Sequence, residues 1–307
     1  MTNLFLLQLL NGVQLGILLF LVAAGLTLIF GIMDFINIAH GVLYMVGAYL
    51  LATFAAMSGN FWLGMLIALP AVVAFGLFLE FFLFRRLYDR SHLDQVLATF
   101  GLMLILTESV RMIWGSSPIF VGVPEALSGS IRLLGIINYP VYRLAIIAAG
   151  LGAALGLYLL INHTRAGMLL RAGASNRPVV SALGVNITWL FAAVFAFGAM
   201  LAGFAGAMVA PVLSVDPGMG ESVLILAFVV VVIGGIGSVK GAFVAALVVG
   251  IVDTLGRTFG PILLQMVMDP SAASQTGRTL APMLIYILMA VVLAIRPSGL
   301  FGRRGVA

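Results

Sequence analysis

Three polar side chains recur at steps of three in an otherwise apolar stretch, GIMDFINIAHG at residues 31–41. They are Asp34, Asn37 and His40, and Gly41 follows them directly. On a helix, residues three apart share one face, and an ionisable group at membrane depth normally faces a polar cavity or a partner. The spacing therefore predicts a polar face that lines or gates a pathway. The alternative is a surface turn whose polar residues are solvated.

A basic stretch at residues 163–187, HTRAGMLLRAGASNRPVVSALGVNI, forms the second candidate site. It has no acidic residue and lies between two long apolar runs. Since Pro178 is tolerated at a first helical position, the pattern predicts two short helices that meet near Asn176. A segment this polar belongs outside the bilayer, either as a docking surface for a separate protein or as an ordinary cytoplasmic loop. Its arginines are Arg165, Arg171 and Arg177.

Glycines dominate GGIGSVKG at residues 234–241, which also holds the only lysine, Lys240. The nucleotide-binding pattern GxxxxGKS or GxxxxGKT needs a lysine directly after a glycine. Lys240 follows Val239, so the match fails and the stretch predicts a sharp turn or helix break between two spans. The glycines of this break are Gly234, Gly235, Gly237 and Gly241.

Patterns for catalysis and metal binding are missing from the sequence. The chain has no cysteine, which excludes thiolate metal sites and cysteine nucleophiles. Its three histidines, at positions 40, 92 and 163, lie in widely separated segments, and no HExxH or GxSxG motif occurs. We therefore predict no enzyme activity, no cofactor and no metal site.

The elements that position these residues are transmembrane helices. Hydrophobic residues make up 63% of the 307 residues and charged residues only 8%, whereas about a quarter of a soluble domain is charged. Several apolar runs are about 18–25 residues long, enough to cross a hydrocarbon core of roughly 30 Å. We predict one all-α transmembrane domain over residues 1–307, a polytopic helical bundle of eight or nine spans. Broken or re-entrant elements are expected near residues 31–41 and 234–241, an arrangement typical of transporters.

Two further patterns concern the first and last spans. Gly12 and Gly16 in the first apolar run have the small-xxx-small spacing that lets another helix approach closely. Near the other end of the chain, residues 257–280 are predicted to form a polar loop before a last span at residues 281–296.

Basic residues set the orientation of the bundle. Placing loops 85–95, 163–187 and 234–241 with the carboxyl-terminal tail on one side gathers ten basic residues there, against five on the other side. The positive-inside rule makes that side cytoplasmic, so we predict a cytoplasmic carboxyl terminus. Because this topology accounts for the basic charge, no nucleic-acid binding is expected. VDPGMGES at residues 215–222 then becomes a periplasmic turn with the carboxylates Asp216 and Glu221.

Four blocks of sequence carry a family resemblance. They are GLTLIFGIMDFINIAHGVLYMVGAYL (25–50), RAGMLLRAGASNRPVVSALGVNI (165–187), VVIGGIGSVKGAFVAALVVGIVD (231–253) and RPSGLFG (296–302). These blocks resemble the branched-chain amino acid permease family of bacterial ABC importers, in particular its H-type (LivH) subunit. The resemblance implies a multi-pass inner-membrane permease for branched-chain or related amino acids. It also implies partners: an M-type sister permease, two cytoplasmic ATPases and a periplasmic substrate-binding protein.

On this resemblance, residues 163–187 are the cytoplasmic segment that couples the permease to its ATPase. Small side chains allow close docking, while Arg171 and Asn176 can form hydrogen bonds with the partner. The coupling candidates are Arg165, Arg171, Ala172, Asn176, Ala182 and Gly184.

Alternative functions stay open at this point. Similar permeases serve amides and urea. A stand-alone secondary transporter of a small polar solute would bury carboxylates to bind protons or sodium, and only Asp34, and less clearly Glu80 and Asp253, could be buried. An external ATPase needs no such groups and fits better. A structural or channel-like protein would have little need for a basic docking segment.

Overall fold

The structure is a computed structural model that describes residues 2–133, 135, 137–175 and 177–302, without the side chains of Arg177 and Pro178. Within that part, the chain forms eleven α-helices and one antiparallel hairpin. The helices are α1 (Thr2–Met33), α2 (His40–Ser58), α3 (Phe61–Phe82), α4 (His92–Trp114), α5 (Val141–His163), α6 (Arg165–Ser175), α7 (Arg177–Ala182), α8 (Ile187–Val209), α9 (Met219–Gly234), α10 (Val239–Leu264) and α11 (Pro270–Ile295). The strands are β1 (Ser130–Leu133) and β2 (Ile137–Pro140).

Eight of these helices are long and apolar enough to cross a membrane, and α9 is a shorter apolar helix. The prediction of a helical membrane bundle with eight or nine spans is therefore confirmed. The two short helices predicted in the basic stretch are also present, as α6 and α7. Asn176, where they were expected to meet, lies outside the described residues.

Polar side chains at the turns explain where several helices begin. Asn60 accepts hydrogen bonds from the amides of Trp62 and Leu63 at the start of α3, at 2.8 and 3.2 Å. Ser91, Asn186 and Ser238 cap α4, α8 and α10 in the same way. These side chains satisfy amide groups that a helix leaves unpaired at its first turn.

Successive turns lie alternately at the two ends of the bundle. One end, which we name the basic end, holds segments 34–39, 83–91, 164–186, 235–238 and 296–302. Eight of the thirteen lysines and arginines in the described residues belong to it or to the helix termini beside it. The loops that the sequence assigns to one side thus lie together. That this end faces the cytoplasm, with the carboxyl terminus, stays a prediction.

Glycine contacts bring the core helices close together. A Cβ on Gly12 would lie 2.7 Å from Ile251 Cα, and one on Gly16 would lie 2.8 Å from Leu247 Cα. The predicted close approach of another helix to this pair is therefore confirmed, and the helix is α10. Any larger side chain at either position would push the two backbones apart.

The predicted polar loop at residues 257–280 is wrong. Helix α10 continues to Leu264 and α11 begins at Pro270, so the connection spans only residues 265–269. The polar side chains of this region are exposed or half-buried, while Ala273 and Gly277 are buried. Gly277 packs against Pro261 of α10. The contact face is made of small residues, which an apolar-run criterion does not detect.

Candidate functional site

The link between α1 and α2 turns back into the bundle. Residues 34–37 are not helical, and Asp34 has a φ of 49°. The Asp34 side chain is exposed, with Oδ2 3.8 Å from His92 Nε2, whereas Asn37 and His40 are fully buried. The predicted common helical face of these three residues is therefore wrong, because the backbone that joins them is irregular. Its alternative, a solvated surface turn, applies to Asp34 alone.

His40 shows how deep the link reaches. Its Nε2 donates to the carbonyl oxygen of Val22 at 3.2 Å. Val22 precedes the end of α1 by eleven residues, so the tip of the His40 ring lies roughly 16 Å inside that end at 1.5 Å per residue. Segment 34–39 is therefore the re-entrant element that the sequence predicts.

Two side chains of α4 satisfy the irregular backbone of this element. Gln95 Oε1 accepts from the Ile36 amide at 3.1 Å, and Thr99 Oγ1 accepts from the Ile38 amide at 3.1 Å. Both side chains are buried, where unpaired amides would be costly. Sequence reasoning missed Gln95 and Thr99. The available signal was a polar pair four residues apart, on one face of an otherwise apolar helix.

Several polar atoms beside this element have no partner in the described part of the chain. They are both amide atoms of Asn37, His40 Nδ1 and Thr27 Oγ1, all in residues that are at most 1% exposed. Buried polar groups are normally hydrogen-bonded, so these atoms are available to a water molecule, and Thr27 also borders the groove described next. Gly41 differs, since it packs on Gly220 and Leu224 of α9 and leaves no space for a solute. Its assignment to a gate stays a prediction.

A groove of about 1390 Å³ lies at the basic end between α5 and α10, with α1 as its floor. The unpartnered hydroxyl of Thr27 belongs to that floor. The deeper lining is apolar and includes Phe20, Leu28, Leu151, Leu155, Phe243 and Val244. The mouth carries both signs of charge together with polar groups: Asp34, Tyr158, Arg171, Ser238 and Lys240.

The predicted glycine break is confirmed as a four-residue turn between α9 and α10. Gly235 and Gly237 have φ values of 95° and 78°, which favour glycine. Leu300 and Phe301 donate their amides to the carbonyls of Ile233 and Gly234, at 2.8 and 3.0 Å. The RPSGLFG segment therefore caps the last turn of α9. Gly234 and Gly241 face each other across the turn with no space for a side chain.

The basic stretch is bound firmly to the helices on both sides of it. Gly167 packs against the last carbonyls of α5, and Arg171 NH1 donates to the carbonyl oxygen of Ile161. Gly173 packs on Leu190 of α8. A displacement of α6 would therefore move the ends of α5 and α8 with it.

The outward face of the stretch combines charge with apolar side chains. Arg165 and Arg171 are exposed, as are Ala182 and Gly184, while Ala172 is half-buried. Exposed apolar side chains lie beside them and contribute a second kind of contact: Met168, Val179, Leu183 and Trp189.

Buried carboxylates are neutralised by arginines. Glu80 accepts from Arg85 Nε and NH2 at 3.2 and 3.0 Å. Both oxygens of Asp253 accept from Arg257 Nε at 2.8 Å. Among the described residues, no group of three or more potential ligands could hold a metal ion.

The turn between α8 and α9 lies at the end opposite to the basic end. Asp216 Oδ1 accepts from the Gly218 amide at 2.9 Å, and the neighbouring Val215 pairs with Ile119. Glu221 follows in the first turn of α9 and is exposed. The structure thus gives Asp216 a turn-forming role, and the periplasmic location of both carboxylates stays a prediction.

The described helices form a multi-pass membrane bundle with two interruptions and a groove at one end, and the comparisons with known proteins make it an inner-membrane permease. The family described as "Branched-chain amino acid transport system / permease component" matches residues 8–293, and the chain belongs to that family.

Curated relatives cover nearly the whole chain. The permease protein BraD of a high-affinity branched-chain amino acid transport system in Pseudomonas aeruginosa is 30% identical, over 97% of this chain and 96% of its own. The corresponding LivH proteins of Escherichia coli and Salmonella typhimurium are 29% and 28% identical over the same shares. No solved structure matches the chain.

Proposed function

We propose that the chain is a permease subunit of an ATP-driven importer that carries branched-chain or related amino acids across the bacterial inner membrane. The observation that supports this most strongly is the family match over residues 8–293, which includes both interruptions and the basic stretch. The relatives named above are permeases of branched-chain amino acid transport systems.

The groove and the unpartnered polar cluster suit such a solute. Its apolar lining matches an aliphatic side chain, while Asp34, Arg171 and Lys240 at the mouth offer both charges to a zwitterion. Asn37 and His40 lie behind the floor with polar atoms that a passing solute or water can satisfy. The substrate pathway then runs along α1, with segment 34–39 beside it.

Residues 163–187 form the coupling segment in this proposal. An ATPase that docks on the exposed arginines and apolar side chains would shift α6, and the contacts of Gly167 and Arg171 would carry the shift into α5. Because α5 is a wall of the groove, the groove would widen or narrow as nucleotide binds and leaves. Coupling is then a population shift between two arrangements.

The partners follow from the same scheme: an M-type sister permease, two cytoplasmic ATPases and a periplasmic substrate-binding protein. Most residues of helices α4, α5 and α11 are exposed or half-buried in the isolated chain, which leaves area for both the sister subunit and lipid. The chain itself hydrolyses no ATP in this proposal.

Ion-coupled transport is the second candidate, and the ion pairs weigh against it. Glu80 and Asp253 are the carboxylates buried in the described spans, and each is held by an arginine. A carboxylate that keeps an arginine partner is a poor site for a transported proton or sodium ion. Asp34 is exposed at the basic end.

The test is uptake by proteoliposomes that hold the chain, a sister permease and the ATPases, with substrate-loaded binding protein outside. We expect uptake of leucine, isoleucine and valine that requires ATP and survives ionophores. Replacing Arg165 and Arg171 together by alanine should lower uptake about tenfold or more, the scale for loss of central interface residues.

The matched control replaces two exposed arginines at the other end, Arg132 and Arg278, and should leave uptake close to wild type. ATP-independent uptake by the chain alone would contradict the proposal. Unchanged uptake in the Arg165 and Arg171 variant would overturn the coupling assignment while leaving the importer itself intact.

A further inference from the structure

Arg143, in the first turn of α5, is held by neutral oxygen atoms. Its NH1 donates to Asn11 Oδ1 at 2.8 Å and to Gln14 Oε1 at 3.2 Å. The hydroxyl of Tyr139 donates to the same Asn11 oxygen at 3.2 Å, and the Asn11 amide donates to Gln8 at 3.0 Å. The guanidinium is therefore fixed in position while its charge remains uncompensated.

This environment differs from that of other arginines in the candidate spans. Arg85, Arg111 and Arg257 each contact a carboxylate, at 3.0, 2.6 and 2.8 Å. No carboxylate oxygen among the described residues lies within 4.0 Å of Arg143. Arg86 and Arg278 also lack one, but both side chains are exposed and make no hydrogen bond in the described part.

An anion fits the unused part of the guanidinium. Both contacts involve NH1, so Nε and NH2 keep donors that can meet a carboxylate in two parallel hydrogen bonds. Arg143 is half-buried, which leaves it accessible while reducing the screening of its charge. A cation in the first turn of a helix is disfavoured by the helix dipole, and a bound anion removes that penalty.

The position of Arg143 relates it to the groove. Asn11 and Gln14 belong to α1, whose later residues form the floor of the groove, and α5 continues from Arg143 to the wall residues Leu151 and Leu155. The guanidinium and the groove thus lie on the same pair of helices at opposite ends. A solute that moves along this pair passes from one to the other.

We propose that Arg143 binds the carboxylate of the amino acid substrate at the end of α1 and α5 opposite to the groove. The inference rests on the proposed function and assigns the substrate group that this residue recognises. The site takes a carboxylate whatever the aliphatic side chain is, because the contact involves only the group that all amino acids share.

The experiment uses the same reconstituted complex with R143Q, R143A and R143K, and R278A as the matched control. We expect R143Q and R143A to lower the maximal uptake rate about tenfold or more, as the loss of a charge-assisted pair does. R143K keeps the charge but not the paired geometry and should be intermediate. Added guanidinium ion should partly restore uptake by R143A, and R278A should resemble wild type.

A merely structural role for Arg143 predicts a different pattern. R143A would then lose thermal stability and amount in the membrane in proportion to its uptake, and guanidinium would restore nothing. That result overturns the inference, as does wild-type uptake by R143Q. If wild-type uptake depends on anionic phospholipid and R143Q abolishes only that dependence, the ligand is a lipid phosphate and the inference also fails.

The two proposals fail in different ways. A wild-type complex without ATP-driven uptake overturns the proposed function and this inference with it. A wild-type complex that transports, together with R143A that transports equally well, overturns only the assignment of Arg143.

Discussion

The two interruptions of the bundle hold their irregular backbone by different means. Segment 34–39 relies on side chains from another helix, since Gln95 and Thr99 accept hydrogen bonds from its backbone amides. Segment 235–238 relies on backbone, since Gly235 packs against the 296–302 tail, Gly237 packs on Gly31 of α1, and the tail amides donate hydrogen bonds to the last carbonyls of α9.

The two kinds of support have different consequences for binding and for stability. Beside 34–39, Asn37 and His40 keep buried polar atoms without partners among the described residues, so that region retains capacity to bind. Around Gly235, close packing and positive φ leave no space for a side chain, although Ile236, Gly237 and Ser238 line the groove. We therefore expect substitutions beside the first interruption to affect polar contacts, and substitutions at Gly235 to affect mainly the stability of the fold.

The largest effect is expected at the second interruption. G235A places a methyl group 2.7 Å from Gly302 Cα on a backbone with φ 95°. Strain of about 1–3 kcal/mol and overpacking of about 1–3 kcal/mol should together lower the unfolding free energy by about 2–6 kcal/mol. Unfolding in mixed micelles measures this.

G115A is the control that separates the two causes of this loss. Gly115 has a φ of 85°, a ψ of 179° and nothing within 4 Å of an added Cβ, so only the strain remains and about 1–3 kcal/mol is expected. Equal losses in the two variants would show that the tail does not pack on Gly235.

A smaller effect is expected at the first interruption. T99V keeps the shape of the side chain but removes the acceptor for the Ile38 amide, which should lower the unfolding free energy by about 1–3 kcal/mol. Hydrogen exchange of that amide should accelerate as well. T107V, on the same helix, replaces a half-buried threonine that makes no side-chain hydrogen bond in the described part and should be nearly neutral. If the two variants behave alike, Thr99 does not hold the re-entrant backbone.

The smallest effect concerns alkaline pH, and it should appear only at the first interruption. Tyr88 packs on Phe35, with ring centroids 5.4 Å apart, and donates to Glu80 at 3.2 Å. Burial, and then the charge of Glu80, raise the pKa of Tyr88 above its usual 10.0. The hydroxyl ionises more easily in the unfolded chain than in the folded one. Its contribution to the unfolding free energy is therefore intact below pH 10 and is lost as the pH rises further.

Y88F should therefore lose less stability than wild type between neutral pH and pH 11, as followed by thermal melting. Y286F, in which the altered ring is exposed on α11, is the matched control and should follow wild type. A wild-type curve parallel to that of Y88F would show that Tyr88 does not stay protonated against Glu80.

The spans and the glycine break could be predicted because each depends on local composition. Apolar runs fix most of the helices, and a turn that requires positive φ at Gly235 and Gly237 selects glycine directly. The basic stretch is likewise visible as a local excess of arginine. These features need no knowledge of which helices are neighbours.

The contents of the first interruption could not be predicted in this way. Asp34, Asn37 and His40 share a face only if the backbone is helical, and it is not, because Gln95 and Thr99 replace the missing helical partners. Those two residues are ordinary polar positions until α4 is known to lie beside the link. Arg143 is similar, since what distinguishes it is that no carboxylate of the described residues lies near it in three dimensions.

The cap that the RPSGLFG segment forms on α9 has a consequence for biosynthesis. Residues 296–302 leave the ribosome only after α10 and α11. The carbonyls of Ile233 and Gly234 therefore lack their hydrogen bonds from Leu300 and Phe301 while these two helices are inserted. Membrane insertion of α9 therefore precedes the capping of its last turn by residues 296–302. A chain stalled or truncated before Leu300 would leave the last turn of α9 uncapped at the basic end. This exposed turn would distinguish it from the finished protein for quality-control proteases.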